Sequence, residues 1–147
     1  MAQLGARVLI VDDEPANVCL LEEFLSDTAT AVCAVIDSRQ VERAFDEFAP
    51  DIVLLDLHIR CIDGWEVLRR LKAPRARLGF VPVIVVSADS SRVARNSALL
   101  LGANDFLTRP LDRTEVVQRV RNLLQTRELF VNLAAANLAL ERGQQNH

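Results

Sequence analysis

Three runs of consecutive apolar residues, Val8-Leu9-Ile10-Val11, Ile52-Val53-Leu54-Leu55 and Val83-Ile84-Val85-Val86, constrain this chain more than any other feature. Each is too short for a helix and lacks the apolar–polar alternation of a strand with one wet face. Strands of this kind belong to parallel sheets that helices cover on both sides. The segments between them carry the helical period. Arg7–Val11 is followed by Pro15–Leu25, Ala31–Ile36 by Ser38–Phe48, and Ile52–Leu57 by Trp65–Lys72. Val83–Val86 then leads into Ser91–Leu101, and Asp105–Leu107 into a helix from about Asp112. The expected fold is α/β, a doubly wound (βα)₅ parallel sheet. Ser38 and Ser90 or Ser91 are candidate helix caps, Gly102 a left-handed helix end, and Ala73–Phe80, with Pro74 and Gly79, a loop.

The 147 residues suffice for one core and a helical extension. A formal charge of −3 and a pI near 5.4 lack the basic footprint of a nucleic-acid partner. No apolar run reaches membrane-spanning length and Met1–Arg7 has no signal-peptide stretch, so a cytoplasmic protein is expected. Cys19, Cys33 and Cys61, with only His58 and His147 to join them, form neither a zinc spacing nor a disulfide framework. Of the 17 basic residues all but Lys72 are arginine.

Ligands of an open parallel sheet bind beyond the carboxyl ends of its strands. There this sequence places Asp12 and Asp13 after the first strand, Asp56 at the end of the third, Ser87 and Ala88 after the fourth, and Thr108-Arg109-Pro110 after the fifth. Three converging carboxylates repel one another unless a cation neutralises them. An all-oxygen site of a few carboxylates suits Mg²⁺ better than Ca²⁺. A carboxylate can also attack phosphorus, with the metal, a hydroxyl and a basic group holding the added charge. Taken singly, the residues have ordinary readings. Asp12-Asp13-Glu14-Pro15 is a normal helix start, Ser87 a turn residue, Arg109 a surface charge, Asp63-Gly64 a turn pair, Trp65 packing surface and Phe106 core. Agreement among four strand ends favours metal-assisted phosphoryl transfer to an aspartate.

Residues 6–125 resemble a response-regulator receiver domain of two-component signalling. The resemblance rests on Val8-Leu9-Ile10-Val11-Asp12-Asp13-Glu14, on Asp51-Ile52-Val53-Leu54-Leu55-Asp56 with Asp63-Gly64 downstream, on Val81-Pro82-Val83-Ile84-Val85-Val86-Ser87-Ala88, and on Gly102 through Pro110. It implies a flavodoxin-like sheet of strand order 2-1-3-4-5. It also implies that Asp56 accepts phosphate from a sensor histidine kinase or phosphotransfer protein, and that Asp12, Asp13, Asp56 and the backbone carbonyl of His58 hold Mg²⁺. Ser87 would bond the phosphoryl group, with Phe106 as its partner in the switch. His58 and Asp89 would tune the lifetime of the phosphoryl group, and the bond before Pro110 would be cis. The signal would leave through the fourth helix, fifth strand and fifth helix. Such a chain is a regulatory phosphoacceptor, catalysing at most its own phosphorylation and dephosphorylation.

Two positions depart from the pattern. Arg109 stands where the family has lysine, a planar fork for a compact ammonium. Ile59 and Arg60 replace the usual methionine and proline, and Arg60 is expected to loosen the loop His58–Ile62. The first departure favours an alternative, a degenerate receiver that acts as a phosphorylation-independent interaction module. A phosphatase of the haloacid dehalogenase type ranks last, because it needs one residue between its first two aspartates and these are adjacent.

The end of the chain carries its own signal. Val117, Val120, Leu124, Arg127, Val131, Ala134, Leu138 and Glu141 are spaced alternately by three and four, beside a second register of Leu123, Phe130, Leu133, Asn137 and Leu140. We read residues 126–147 as a helical extension, dimerising or leading to an output domain, rather than folded back. It resembles signalling helices that join receivers to cyclic-dinucleotide enzymes of the HD-GYP or GGDEF type.

Overall fold

A computed structural model describes residues 6–73 and 80–145 of the chain. Five parallel strands, β1 (Ala6–Val11), β2 (Ala29–Val35), β3 (Ile52–Asp56), β4 (Val83–Ser87) and β5 (Asp105–Thr108), lie in the order β2-β1-β3-β4-β5. They alternate with helices α1 (Pro15–Phe24), α2 (Val41–Phe48), α3 (Gly64–Lys72), α4 (Arg92–Leu100) and α5 (Arg113–Gln145). The doubly wound reading therefore holds.

The apolar runs are two-sided because each strand feeds two cores. Leu9, Val11, Val53, Leu55, Val83 and Val85 face one way and pack with Val41 and Phe45 of α2, Val67, Leu68 and Leu71 of α3, and Ala94 and Ala98 of α4. Their neighbours Val8, Ile10, Ile52, Leu54, Ile84 and Val86 face the other way, against Val18 and Leu21 of α1 and Val116, Val120 and Leu124 of α5. Full burial of each such side chain contributes about 1.5–3 kcal/mol. The side-chain period of a strand is two, so a one-residue slip would exchange the two cores.

Element boundaries follow local chemistry. Pro15 opens α1, where a missing N–H costs nothing. Ser91 caps α4, its Oγ accepting from Ala94 N at 3.1 Å, and Asp112 accepts from Glu115 N at 3.0 Å at the head of α5. Gly102, at φ 107°, ends α4 in the left-handed region as expected.

The expected cap at Ser38 is replaced by Asp37, whose Oδ1 accepts from Arg39 N at 2.9 Å. Ser38 is buried and serves a loop across the sheet edge instead. A 3₁₀ turn, Ser38–Gln40, therefore precedes α2. The second strand starts at Ala29, earlier than its apolar run suggests. Residues 74–79 of the expected loop lie outside the described residues.

The fifth helix runs unbroken from the domain into the tail. Val116, Val120 and Leu124 are its buried face, with Val117 and Leu123 partly covered, so the anchored stripe begins one residue earlier than expected. Beyond Leu124, Arg127 Nε bonds Asp51 Oδ1 at 3.1 Å, Arg127 also bonds the Phe80 carbonyl, and the Phe80 and Phe130 rings lie 5.8 Å apart. Leu129, between these contacts, and Val131, Leu133, Leu138 and Leu140, past them, are exposed. No described helix is long and apolar enough to cross a membrane.

Candidate functional site

The β1–β3–β4–β5 pairing carries the residues at the four strand ends into one cleft. Leu55 of β3 lies beside Val11, and Asp56 beside Val86, while Ser87 pairs with Thr108. One ligand oxygen from each of Asp12, Asp13 and Asp56 lies within 4.8 Å of the other two. Asp12 and Asp56 are buried and Asp13 is half-buried.

Each carboxylate is held separately. Asp12 Oδ1 accepts from Glu14 N at 2.9 Å, so Asp12 also serves the start of α1: its ordinary and functional readings coexist. Asp12 Oδ2 accepts from the Arg109 guanidinium at 2.8 Å. Burial nevertheless pushes the Asp12 carboxyl above its usual range, with the charge of Asp56 adding to the effect. Asp13 is lowered, chiefly by the Arg60 guanidinium, whose Nε donates to Oδ2 at 2.9 Å. Asp56 Oδ1 accepts from His58 N at 3.0 Å, which orients the acid at the mouth of β3.

Opposite these acids, the Ser87 Oγ lies 3.2 Å from His58 Nε2 and accepts from Asp89 N at 3.0 Å. Ser87 is buried, whereas His58 and Asp89 sit exposed at the rim. Asp89 Oδ1 accepts from Ser91 N at 2.9 Å and is lowered mainly by that bond. Phe106 is buried in the core on the α4 side of the sheet. The Arg109–Pro110 peptide is cis. Lys72 is remote from the acids, its Nζ bonded to Asn104 Oδ1 at 2.9 Å.

A sequence reading misses how the β3–α3 loop is fastened. Arg60 N and Nε both donate to Asp13 Oδ2, at 3.1 and 2.9 Å. Ser38 Oγ donates to the Arg60 carbonyl at 2.6 Å and accepts from Ile62 N at 2.7 Å. Ile59 is buried. Replacing proline with Arg60 therefore supplies the loop with anchors, contrary to the expected loosening. Gly64 is no simple turn residue either: it opens α3 with its N–H on the Leu57 carbonyl, and a Cβ there would lie 2.3 Å from Leu57 Cα.

Residues 8–121 match the response regulator receiver domain family. The chain belongs to that family. The receiver is 39% identical over 121 residues to the response regulator PleD of Caulobacter vibrioides, covering 82% of this chain and 26% of PleD. It is 34% identical over 119 residues to the transcriptional regulatory protein TrcR of Mycobacterium tuberculosis, covering 81% of this chain and 45% of TrcR. It thus spans less than half of either relative. In fold the receiver is similar to NtrX from Brucella abortus, with a TM-score of 0.79 at 26% identity over 90% of this chain and 29% of that one. A Francisella response regulator receiver domain gives a TM-score of 0.74 at 23% identity, over 83% of this chain and 98% of that one.

The donor set fits Mg²⁺. Three carboxylates gathered at one point, one of them buried and raised in pKa, are a site that a hard cation relieves.

Proposed function

We propose that this receiver accepts a phosphoryl group on Asp56 from the phosphohistidine of a sensor histidine kinase or phosphotransfer protein, and acts in the bacterial cytoplasm. The observation that carries this reading is the placement of Asp56 among Asp12, Asp13, Ser87 and Arg109 at the carboxyl end of the sheet. An Asp56 oxygen would form the new P–O bond while the P–N bond of the donor breaks and the imidazole leaves with its electron pair and takes up a proton. Asp12, Asp13, Asp56 and the His58 carbonyl would hold Mg²⁺, which when bound neutralises charge on the phosphoryl oxygens. The His58 N–H orients the Asp56 carboxylate, and Ser87 and Arg109, bonded here to His58 and Asp12, would turn to the phosphoryl oxygens. In this role the chain is a phosphoacceptor with no turnover beyond its own phosphorylation and dephosphorylation.

The signal would leave through α4, β5 and α5. Residues 6–125 would be the receiver and 126–147 an extension that dimerises through its exposed apolar positions or leads to a cyclic-dinucleotide output domain. The apolar side chains exposed from Leu129 to Leu140 support the dimeric reading.

One observation favours a second reading, a phosphorylation-independent interaction module: Arg109 and Arg60 already bond two of the three carboxylates. Intact-mass measurement after incubation with Mg²⁺ and acetyl phosphate separates the two. Phosphorylation at Asp56 adds one phosphoryl mass that Asp56→Asn abolishes. An unchanged mass, or labelling that survives the substitution, favours the module.

A further inference from the structure

The acid cluster is partly neutralised from within by Arg109 and Arg60, and the proposed phosphoryl chemistry gives Arg60 no part. Arg60 lies in the β3–α3 loop, 47 positions from Asp13 in sequence, yet its Nε is 2.9 Å from Asp13 Oδ2. Its side chain is 83% exposed and that of Asp13 only 17%, so the guanidinium covers the carboxylate from the solvent side. The contact is not a chance reach of a long side chain. The Arg60 peptide N–H bonds the same oxygen at 3.1 Å, and its carbonyl is held by the buried Ser38 hydroxyl at 2.6 Å. Ser38 also accepts from Ile62 N at 2.7 Å, clamping the residues on both sides of Cys61. Cys61 adopts a positive φ of 77° there, a conformation that persists only when its surroundings hold it.

We propose that Arg60 is a built-in counter-cation for Asp13 that a divalent ion must displace, so that this residue sets the metal affinity of the pocket. The inference rests on the reading of Asp12, Asp13 and Asp56 as a metal site and adds a positioning residue to it.

Two physical points give it direction. Asp13 cannot offer the full charge of its carboxylate to a metal while Oδ2 serves the guanidinium, so binding the ion costs the ion pair. The guanidinium is also a unit charge close to where a doubly charged ion would sit, and repels it until it swings away. The exposed side chain has solvent to swing into. The peptide N–H and the Ser38 clamp remain, so the loop keeps its path while the side chain leaves. Arg109 does the corresponding duty at Asp12 from the buried side. Arg60 is the cation that can leave without opening the core.

Calorimetric titration of the full chain with MgCl₂ tests this, with Arg60→Gln, Arg60→Lys, Asp13→Asn and, as a remote charge control, Arg43→Gln. Arg60→Gln should bind Mg²⁺ about threefold to tenfold more tightly, the size expected of a solvent-screened unit charge close to a divalent ion. Arg60→Lys should stay near the parent, and Arg43→Gln should not change. In parallel, the ¹⁵N–¹H signal of Arg60 Nε, assigned by its loss in Arg60→Gln, should shift on adding Mg²⁺ to the parent. Equal affinity of the parent and Arg60→Gln overturns the proposal, as does an equal gain in Arg43→Gln, which would be a bulk charge effect. Binding that ignores Asp13→Asn removes the metal-site reading itself, and the proposal with it. No binding in the parent but binding in Arg60→Gln supports the proposal in its strongest form.

Discussion

The Arg109 guanidinium donates to Asp12 Oδ2 at 2.8 Å, joining the end of β5 to the end of β1 across the mouth of β3 and β4. The Asp12 side chain is 1% exposed and that of Arg109 20%, so this pair is more than a surface contact. Removing one partner leaves a buried charge without its counter-charge. Arg109→Ala should therefore destabilise the metal-free protein by about 2 kcal/mol, less than a fully buried pair would cost because Arg109 keeps some solvent. Mg²⁺ should raise the Tm of the variant more than that of the parent, because it replaces the missing charge. In phosphorylation from a small donor, Arg109→Lys should be faster than the parent and Arg109→Ala slower. The planar fork already committed to Asp12 fits the transferring phosphoryl group less well than an ammonium. If alanine reacts as fast as arginine, residue 109 has no part in the chemistry.

The 3.2 Å contact between His58 Nε2 and Ser87 Oγ occupies the hydroxyl that would meet the phosphoryl group. A net hydrogen bond is worth about 0.5–1.5 kcal/mol. Releasing Ser87 in His58→Ala should thus speed phosphorylation from acetyl phosphate by roughly twofold to tenfold, measured by intact mass over time. Ser87→Ala should slow it, and the double variant should behave as Ser87→Ala alone. A gain that persists in the double variant would show that His58 acts elsewhere.

Gly64 tests the support beneath Asp56. A Cβ at this position would press on the backbone of Leu57, next to Asp56, at 2.3 to 2.7 Å from three of its atoms. Backbone cannot rotate away as a side chain can, so Gly64→Ala should cost about 3 kcal/mol. Chemical denaturation reads this as a lower midpoint with an unchanged slope. An unchanged midpoint would mean that the start of α3 can shift away from β3.

Lys72 is half-buried, and burial pushes its amine below the ordinary lysine range. Below its folded pKa the protein carries the cost of a desolvated ammonium. Between that pKa and the unfolded value near 10.4 the unfolded chain binds more protons, so stability rises with pH in that window. Lys72→Met should lose this rise. Asn104 Oδ1 still accepts from Val83 N at 2.9 Å, so the variant strands no buried acceptor. As the chain's sole lysine, Lys72 gives one ε-amine signal after reductive ¹³C-methylation, and its titration midpoint should lie below the ordinary value.

The tail past Leu124 presents Leu129, Val131, Leu133, Leu138 and Leu140 to solvent on one helix. Light scattering should find the full chain dimeric and a chain ending at Gln125 monomeric. Two monomers would refute the dimer. Arg127→Ala should leave the dimer intact but loosen the helix from the domain, because Arg127 bonds Asp51 and the Phe80 carbonyl instead of facing a partner helix.

Much of the fold is local and so can be read in one dimension. Runs such as Val83-Ile84-Val85-Val86 encode burial on both faces, and Pro15, Ser91 and Gly102 act on the backbone within a few residues of themselves. The convergence of Asp12, Asp13, Asp56, Ser87 and Arg109 is also foreseeable, because parallel strands with helical crossovers bring all their carboxyl ends to one edge. Pairings between loops are different. Nothing near Arg60 announces Asp13, and nothing near Ser38 announces the Arg60 carbonyl; those contacts exist only because the β1–α1, β2–α2 and β3–α3 loops meet at that edge. The same holds for Val116, whose neighbour Val117 has the same chemistry and is less buried. An apolar stripe specifies a face only to within the roughly 100° that separates successive residues on a helix. Which of the two valines packs was decided by how α5 lies against β3, whose Ile52 and Leu54 share its core, a relation that side-chain spacing along one helix does not contain.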